Sequence, residues 1–271
     1  MCSATVPPQK ISRSSGWGAT TTTFISNWIL VVRMRIGWGI TGSGHLLLET
    51  VEEMERIASK YEIYGFLSRA GERVVRVYGL WSRIQSLLQD RMVREEEQAP
   101  AFPLACRFST GSWRALVVSP ASANTVAKVV HGIADTLLTN AIAQAGKGGV
   151  PVIIVPTDLR AGKLRTRLPY SLDLSLCGCV ECPPAKKCPA GAIKFSGQRS
   201  SLDLTKCEGC GLCLEACPRG AITFGKEIEI YVRPLDAENA RKLRGIPNVT
   251  VLDSPHRISE VLHQLEEKIA P

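Results

Sequence analysis

The spacing of the cysteines constrains the fold of this chain more than any other feature. Eight of the ten cysteines lie between positions 177 and 217. The later four follow the spacing C-x₂-C-x₂-C-x₃-C-P and are Cys207, Cys210, Cys213 and Cys217. The earlier four follow the looser spacing C-x-C-x₂-C-x₅-C-P and are Cys177, Cys179, Cys182 and Cys188. Because such short steps bring several thiolates onto one turn, the sequence predicts a small module organised around cysteine-bound metal.

The later run has the spacing with which bacterial-type ferredoxins hold [4Fe–4S] clusters. In two-cluster ferredoxins the fourth cysteine of a run ligates the other cluster, so we predict two [4Fe–4S] clusters with crossed ligands. One cluster is assigned to Cys207, Cys210, Cys213 and Cys188. The other is assigned to Cys177, Cys179, Cys182 and Cys217. The earlier run fits less closely, because C-x-C replaces C-x₂-C, and one of its first two cysteines could be free of iron.

The sequence around the cysteines also repeats. Ser171-Leu-Asp-Leu-Ser precedes the earlier run, and Ser201-Leu-Asp-Leu-Thr precedes the later one. This internal duplication is typical of a two-cluster ferredoxin module. Zinc sites instead favour two C-x₂-C pairs or mixed Cys/His sets, and disulfides require an oxidising compartment that nothing else in the chain indicates. Cys2 and Cys106 stand alone and are interpreted as terminal or buried thiols.

Length and composition allow one α/β core with a small appended module, since the chain has 271 residues of which 45% are hydrophobic. The net charge of +8 does not point to nucleic acid, because no basic stripe is interleaved with aromatic residues and two clusters of about −2 each would offset half of it. The apolar run at 24–32 is far too short to span a bilayer, and no signal-peptide cleavage site follows it. We therefore predict a cytoplasmic protein without membrane association. Residues 1–33 are predicted to be a disordered extension or to precede the true start at Met34.

From Met34 the pattern alternates between short apolar strands and amphipathic helices. This predicts a flavodoxin- or Rossmann-like α/β fold, with a parallel sheet and helices on both faces. The strands are expected at Arg35–Ile40, Glu62–Leu67, Ala115–Val118 and Val150–Val155. The pattern is predicted to resume after the cysteines with a strand at Ile228–Val232, a helix at Ala237–Leu243, a strand at Val249–Leu252 and a helix at Arg257–Ile269. A small α+β ferredoxin module is thus expected at 167–226, inserted into a nucleotide-binding domain formed by 34–166 and 227–271.

Three loops at the carboxyl ends of these strands carry the residue types of a phosphate site. They are Gly39–Gly44, Ser68–Gly71 and Ser119–Thr125, and each leads into a helix, where free backbone N–H groups favour an anion. Turn formation and helix capping explain any one of them equally well. Three on successive strand ends favour a nucleotide. The formal fingerprint Gly37-x-Gly39-x-x-Gly42 is discounted, because its first two glycines lie inside the strand.

Three segments carry a resemblance to a known family: Gly39-Ile-Thr-Gly-Ser-Gly, Pro120-Ala-Ser-Ala-Asn-Thr and Gly132-Ile-Ala-Asp-Thr-Leu-Leu. They resemble segments of the flavoprotein family of FMN-dependent cysteine decarboxylases and flavin prenyltransferases. The resemblance implies FMN, held by the first loops at its phosphate and ribityl chain and by the third loop at its ring. The residues so implied are Thr41, Gly42, Ser43, Gly44, Ser68, Ala70, Pro120, Ser122, Ala123, Asn124 and Thr125. It also implies a homo-oligomer, commonly built from trimers, with FMN at a subunit interface.

Two departures from that family concern its chemistry. The decarboxylases carry a P-x-M-N-x-x-M-W substrate clamp where this chain reads Pro156-Thr-Asp-Leu-Arg-Ala-Gly, and their active-site histidine has no match near 74–81. Decarboxylation is therefore disfavoured. A flavin domain with inserted clusters resembles instead the archaeal iron–sulfur flavoproteins, or archaeoflavoproteins, and within them the dihydromethanopterin reductase (acceptor) family.

This second resemblance implies an oxidoreductase. It would pass electrons from an external low-potential donor through two clusters to FMN and on to a dihydropterin, reducing dihydromethanopterin to tetrahydromethanopterin. His45, Tyr78 and Asp135 are possible proton sources, although a helix start, packing and the N-cap of a helix at Thr136–Ala143 explain them better. An electron-transfer flavoprotein without a substrate of its own would share every motif. An FMN-dependent decarboxylase-like or prenyltransferase-like enzyme is a third possibility.

Overall fold

A computed structural model of the chain describes residues 33–98, 102–111, 113–197 and 199–269. The predicted extension at 1–33, apart from Arg33, lies outside the described residues, and so does Cys2. Within the four described ranges, every helix is too short or too polar to form a membrane span. The described residues form a large α/β domain and a smaller module that contains the eight clustered cysteines.

Six parallel strands form the sheet of the large domain. They are β1 (Arg35–Ile40), β2 (Glu62–Leu67), β3 (Met92–Arg94), β4 (Ala115–Ala121), β5 (Val152–Pro156) and β12 (Val249–Val251). Across the sheet they lie in the order β3-β2-β1-β4-β5-β12, and every neighbouring pair is parallel. This is the order of the doubly wound dinucleotide-binding folds, with a switch point between β1 and β4. The predicted fold class is confirmed, and the first two strands have the predicted bounds.

Helices cover both faces of this sheet, as predicted. One face carries α1 (Leu47–Ile57), α2 (Arg69–Val77), α3 (Trp81–Leu88) and α10 (Ile258–Ile269). The opposite face carries α5 (Ala123–Val130), α6 (Leu137–Lys147) and α9 (Pro234–Lys242). A short helix, α4 (Glu95–Gln98), follows β3. Each face therefore has its own hydrophobic core, and the sheet separates the two.

The apolar spacing of α1 explains how it is anchored. Leu47, Val51 and Met54 recur at steps of four and three residues, and all three are fully buried against β1 and its neighbours. Burial of a side chain of this size stabilises the fold by roughly 1.5–3 kcal/mol. Strand β1 is buried on both faces from its second residue onward, as a central parallel strand must be. The loop between β1 and α1 is thus held between two well-packed elements.

One predicted element takes a different place. The strand expected at 228–232 forms as β11 (Glu227–Val232), but it pairs antiparallel with β6 (Gly162–Arg167) in a two-stranded ribbon outside the parallel sheet. The prediction that the nucleotide-fold pattern resumes with this strand is wrong. A strand buried between two helical layers must be apolar on both sides, whereas β11 places Glu227 opposite Arg167 and Glu229 opposite Arg165. The large domain resumes instead with α9.

The cysteine module lies between the two strands of this ribbon. It contains two further antiparallel pairs, β7 (Tyr170–Leu172) with β10 (Ile222–Phe224), and β8 (Ile193–Ser196) with β9 (Arg199–Leu202). Two short helices, α7 (Pro183–Lys187) and α8 (Leu212–Ala216), pack against each other. Helix α7 lies between the third and fourth cysteines of the earlier run, and α8 contains the third cysteine of the later run, Cys213, and ends just before the fourth. The repeat in the sequence is therefore a repeat of turn, short helix and strand.

Candidate functional site

Three loops meet at the carboxyl edge of the sheet, because β4, β1 and β2 are adjacent there. Thr41, directly after β1, ties the first of these loops to the loop after β4. Its hydroxyl donates to the carbonyl oxygen of Pro120 at 2.7 Å and accepts from the backbone N–H of Ser122 at 2.8 Å. Thr41 is almost completely buried. The side chain acts as a bridge that sets the spacing of the two loops.

The loop after β2 approaches the first loop from the other side. The hydroxyl of Ser68 accepts a hydrogen bond from the N–H of Gly71 at 3.0 Å and so caps α2. A Cβ atom added to Gly42 would lie 2.5 Å from the Cβ of Ala70, so only glycine allows these two loops to come this close. The backbone of the first loop is therefore packed directly onto the start of α2.

The loop after β4 starts a second helix at the same edge. Ser122 caps α5 by accepting from the N–H of Thr125 at 3.5 Å, and the two hydroxyls lie 3.2 Å apart. Asn124 in the first turn is exposed. Ten of the eleven residues predicted to contact FMN lie on these three loops or on the helix turns that follow them, and Pro120 lies near the end of β4. Hydroxyl groups and two helix starts suit a phosphorylated ligand that carries a ribityl chain.

The eight cysteines surround two separate cavities in the module. The first set lines about 320 Å³ of unfilled space, part of it open to solvent, and consists of Cys177, Cys179, Cys182 and Cys217. The second set lines about 330 Å³ of comparable space and consists of Cys188, Cys207, Cys210 and Cys213. This is the crossed grouping expected from the spacing. Which thiolates ligate iron stays a prediction. Within the described residues, no three Cys, His, Asp or Glu side chains form a single-ion site.

Polar groups surround the sulfur atoms of both sets. The hydroxyl of Ser200 is buried and lies 3.4 Å from the Sγ of Cys177 and 3.3 Å from that of Cys182. In the second set, the Sγ of Cys188 accepts from the N–H of Ala192 at 3.3 Å. The hydrogen bonds that Cys182 and Cys188 accept stabilise thiolate, the form that iron requires, whereas the Cys177 thiol donates to Ser200.

In the second set, burial disfavours the thiolate form and raises the pKa of two thiols. Burial, aided by the neighbouring cysteines, raises the pKa of the Cys213 thiol to about 11. It also raises the pKa of Cys207, although a hydrogen bond from the N–H of Gly209 opposes the change. Without a cation these thiols are protonated at neutral pH. A positively charged metal centre in the cavity would supply the compensating charge, so the donor set fits a cluster.

Helix α2 connects the second set to the large domain. The carboxylate of Glu208, next to Cys207, pairs with Arg73 at 2.9 Å and with Arg76 at 3.1 Å. Arg73 also donates to the backbone carbonyls of Cys207 and Leu204. Sequence reasoning missed these contacts, because two arginines three positions apart on a helix usually form only a solvated face.

The backbones of the two parts also touch. Gly79, just beyond α2, and Gly209, between two cysteines of the second set, both have positive φ angles, of 71° and 67°. A Cβ atom on Gly209 would lie 2.3 Å from the carbonyl oxygen of Arg76 and 2.6 Å from the N atom of Gly79. Both positions thus need glycine, for the backbone angle and for the close approach. The single helix α2 begins at the nucleotide loops and ends against the second cysteine set.

Three aromatic side chains lie between the first loop and the second set. The hydroxyl of Tyr78 lies so close to Gly44 that a Cβ there would be only 2.1 Å away. The ring centroid of Tyr78 is 6.4 Å from that of Phe224, which in turn is 5.0 Å from that of Tyr170. The hydroxyl of Tyr170 then donates to the carbonyl of Gly209 at 3.1 Å. Side chains in van der Waals range therefore join the two regions without a gap.

A cleft of about 1320 Å³, part of it open to solvent, lies beside these aromatic residues. Its walls come from the start of α1, the end of α2, the ribbon and β10, and include Gly44, His45, Glu49, Arg165, Arg167 and Phe224. A ligand in this cleft would contact the large domain and the cysteine module together. The sequence did not predict that the ribbon lines the cleft, because β11 was expected to lie in the parallel sheet.

The three possible proton sources lie in different surroundings. His45 lines the cleft, and burial lowers its pKa although Glu49 and Asp158 oppose the change. The hydroxyl of Tyr78 is already engaged, and burial raises its pKa. Asp135 is exposed and pairs with Lys128 at 2.8 Å, and the N-cap of α6 is Thr136 rather than Asp135.

Comparison with known families supports this division of the chain. Residues 31–160 match the Flavoprotein family. Residues 201–223 match the 4Fe-4S binding domain, which covers the later cysteine run. The two matches fall on the large domain and on the cysteine module. A 4Fe–4S binding domain is therefore present in the chain.

Full-length relatives match both parts at once. A protein of Methanosarcina mazei named dihydromethanopterin reductase (acceptor) is 40% identical over 84% of this chain and 98% of its own length. A protein of Methanocaldococcus jannaschii with the same name is 44% identical over 86% of this chain and 98% of its own. The solved DmrB of Burkholderia xenovorans, in complex with FMN and described as a cubic protein cage for redox transfer, aligns with a TM-score of 0.53 at 23% identity. It covers 88% of this chain and 97% of its own, and it is similar in fold.

Proposed function

The chain belongs to the dihydromethanopterin reductase (acceptor) family, and from this we propose that it is an iron–sulfur flavoprotein that reduces a dihydropterin, dihydromethanopterin, to the tetrahydro form. The C=N bond of the substrate gains two electrons and two protons. The electrons come from an external low-potential donor. Family membership rests on relatives that are at least 40% identical over at least 84% of this chain.

The residues at the carboxyl edge fit FMN, and the two cysteine sets fit two [4Fe–4S] clusters. Thr41, Ser43 and Ser68 would surround the phosphate and ribityl chain of FMN, and Ser122 with the start of α5 would face its ring. When bound, the clusters supply one-electron transfer, and FMN supplies the two-electron storage and hydride chemistry. The protein's part is to hold these sites at a fixed separation and to keep the substrate beside them.

The observation that carries this proposal is the double role of α2. Its N-cap, Ser68, belongs to the nucleotide loops, and its last turns hold Glu208 beside Cys207. A nine-residue helix spans only about 13.5 Å at 1.5 Å per residue. The two redox sites would therefore be close together, in one chain and without a diffusing intermediate.

The cleft beside Gly44 is the substrate site that we infer, because it borders both parts. Its aromatic wall suits a flat heterocycle, and Arg165 and Arg167 suit an anionic substituent. Burial lowers the pKa of His45, although Glu49 and Asp158 oppose the change, and its imidazole borders the cleft where it can position a ligand. The second proton comes from solvent or from a side chain.

We further infer a homo-oligomer in the cytoplasm, without nucleic acid or membrane as partner. The groove between α5 and α6, with Ile133 exposed at its rim, is a surface that a second copy could cover. The name of the Burkholderia relative, a cubic cage, points to assembly in that fold. A trimer-based arrangement with FMN at a subunit interface stays a proposal.

The direct test uses protein purified without oxygen. Iron, sulfide and flavin would be measured per chain, with eight irons, eight sulfides and one FMN as the stoichiometry that follows from two [4Fe–4S] clusters. Protein reduced with dithionite and freed of excess reductant would then be mixed with dihydromethanopterin. Reoxidation of the visible chromophores with formation of tetrahydromethanopterin supports the reductase. Full cofactors with no reoxidation would favour the carrier without its own substrate.

A further inference from the structure

The two cysteine sets differ in what covers them. The second set is covered on the side of α2, because Arg73 and Arg76 pair with Glu208 and the backbones of Gly79 and Gly209 touch, while Cys210 of this set is exposed. An external protein cannot reach the second set from the side of α2. The cavity of the first set is lined only by residues between 172 and 222, all of them within the module.

Apolar side chains around the first set face solvent. Val180, between Cys179 and Cys182, is 86% exposed, and Leu176, beside Cys177, is 46% exposed and lines the cavity. Exposed apolar residues that cluster at one place on a soluble protein mark a contact surface. These two residues flank the turn that carries three of the four thiols of the first set.

A positive charge lies at the same place. The guanidinium of Arg219 is so near the turn that a Cβ on Gly178 would be 3.1 Å from its Nη1 atom. Arg219 is exposed, and no carboxylate in the described part of the chain pairs with it. The nearest acid of this turn, Glu181, is already paired with Lys186. An apolar centre with an uncompensated cation complements a partner with an acidic rim.

We propose that Leu176, Val180 and Arg219 form the docking face for a small acidic one-electron carrier protein of the ferredoxin type, and that the first set is the one that meets it. In each encounter the carrier loses one electron and the centre held by the first set gains one, so two encounters supply one dihydropterin. The second set is fixed to α2, the helix that begins at the nucleotide loops. The inference rests on the proposed function, because it presumes that both sets hold clusters.

The test compares a protein reductant that must dock with a small one that need not. Oxidised protein would be mixed without oxygen, in one experiment with a reduced acidic two-cluster ferredoxin and in another with dithionite. Stopped-flow absorption would follow the reduction of the protein's own clusters. Val180→Asp should lower the second-order rate constant with ferredoxin about tenfold or more, because it adds a negative charge at the centre of the face. Arg219→Gln should lower it about threefold and flatten its salt dependence. Rates with dithionite should stay within about twofold of the parent protein, because no docking is needed.

Leu212→Asp is the matched control, since Leu212 is 46% exposed and stands beside Cys213 of the second set. It should leave the ferredoxin rate within about twofold of the parent value. The proposal is overturned if Leu212→Asp slows ferredoxin as much as Val180→Asp does, or if neither Val180→Asp nor Arg219→Gln slows it. Iron and sulfide content would show that each variant retains its clusters. No pterin is present in this assay, so a failure of the reductase proposal would appear separately, in the dithionite and dihydromethanopterin experiment.

Discussion

The hydroxyl of Tyr78 donates a hydrogen bond to the backbone carbonyl of Arg167 at 2.6 Å. Tyr78 is the C-cap of α2, and Arg167 is the last residue of the ribbon strand β6. The bond therefore joins the large domain to the ribbon that carries the cysteine module. Together with the contact between Tyr78 and Gly44, it holds three elements of the cleft in one arrangement.

Tyr78→Phe removes this hydrogen bond and leaves the ring in place. We expect the free energy of unfolding to fall by about 1 kcal/mol, since the carbonyl of Arg167 lies near solvent and can find water. Hydrogen exchange should become faster in 162–167 and 227–232, where the ribbon loses its attachment. Unchanged exchange there would show that the bond does not hold the ribbon.

Glu208→Gln tests the ion pairs that Glu208 forms with Arg73 and Arg76, which we call the Glu208 dock. The carboxylate is partly exposed, so the loss should be modest, about 0.5–1 kcal/mol in the free energy of unfolding. Glu215→Gln, at an exposed position on α8, is the control and should change stability by less than about 0.5 kcal/mol. Equal effects of the two variants would contradict a specific role for the Glu208 pair.

The stability that the Glu208 dock contributes should decrease at acid pH. Burial acts to raise the pKa of Glu208, but hydrogen bonds from Arg73 and Arg76 outweigh it, and the pKa lies below its usual value. A depressed carboxyl pKa contributes stability that is present above the unfolded pKa, about 4.3, and is lost as the pH falls through the folded pKa. The stability difference between parent and Glu208→Gln should therefore shrink below about pH 4.3 in thermal melts. A difference that stays constant to lower pH would rule out the ion pair as its origin.

Thr41→Val removes both hydrogen bonds that tie the first loop to the third while keeping the shape of the side chain. The part-buried N–H of Ser122 and the buried carbonyl of Pro120 then lack this partner, so we expect FMN to bind about 5- to 30-fold more weakly, equivalent to about 1–2 kcal/mol. Quenching of flavin fluorescence in a titration of flavin-free protein measures this. Thr110→Val, at an exposed turn remote from the three loops, should leave the affinity unchanged.

Replacing single cysteines tests the crossed grouping. Cys210→Ala should remove the centre of the second set and lower iron and sulfide per chain by about half, because each of two clusters holds four of eight irons. Cys177→Ala and Cys179→Ala should each do the same for the first set if both are ligands. Cys106→Ala lies outside both sets and should retain all the iron. Full iron in Cys177→Ala or Cys179→Ala would identify the cysteine of the C-x-C step that iron does not use.

Much of the large domain could be predicted from local patterns. The bounds of β1 and β2 and the amphipathic face of α1 follow from apolar spacing, since a buried strand needs a continuous apolar run and a surface helix an apolar stripe. The place of β11 could not be predicted in this way. Its sequence has the alternation of a strand, and alternation does not say which partner the strand will pair with.

The candidate site also has parts that local patterns predicted and parts that they did not. The loops after β1, β2 and β4 were predicted because glycines, hydroxyls and helix starts recur at strand ends. The bridge made by Thr41, the dock at Glu208 and the cleft were not predicted. Each joins residues that are 79 or more positions apart, so no local pattern records it.

The sequence by itself determined the chemistry of this protein, because thiol spacing, glycine turns and apolar periodicity are local properties of the chain. It thereby specified an α/β sheet with a cysteine module of ferredoxin type. Only the tertiary structure decided which cysteine set lies against the large domain. The two runs differ in spacing, but spacing does not show which of them α2 packs against, since that contact joins residues more than 130 positions apart.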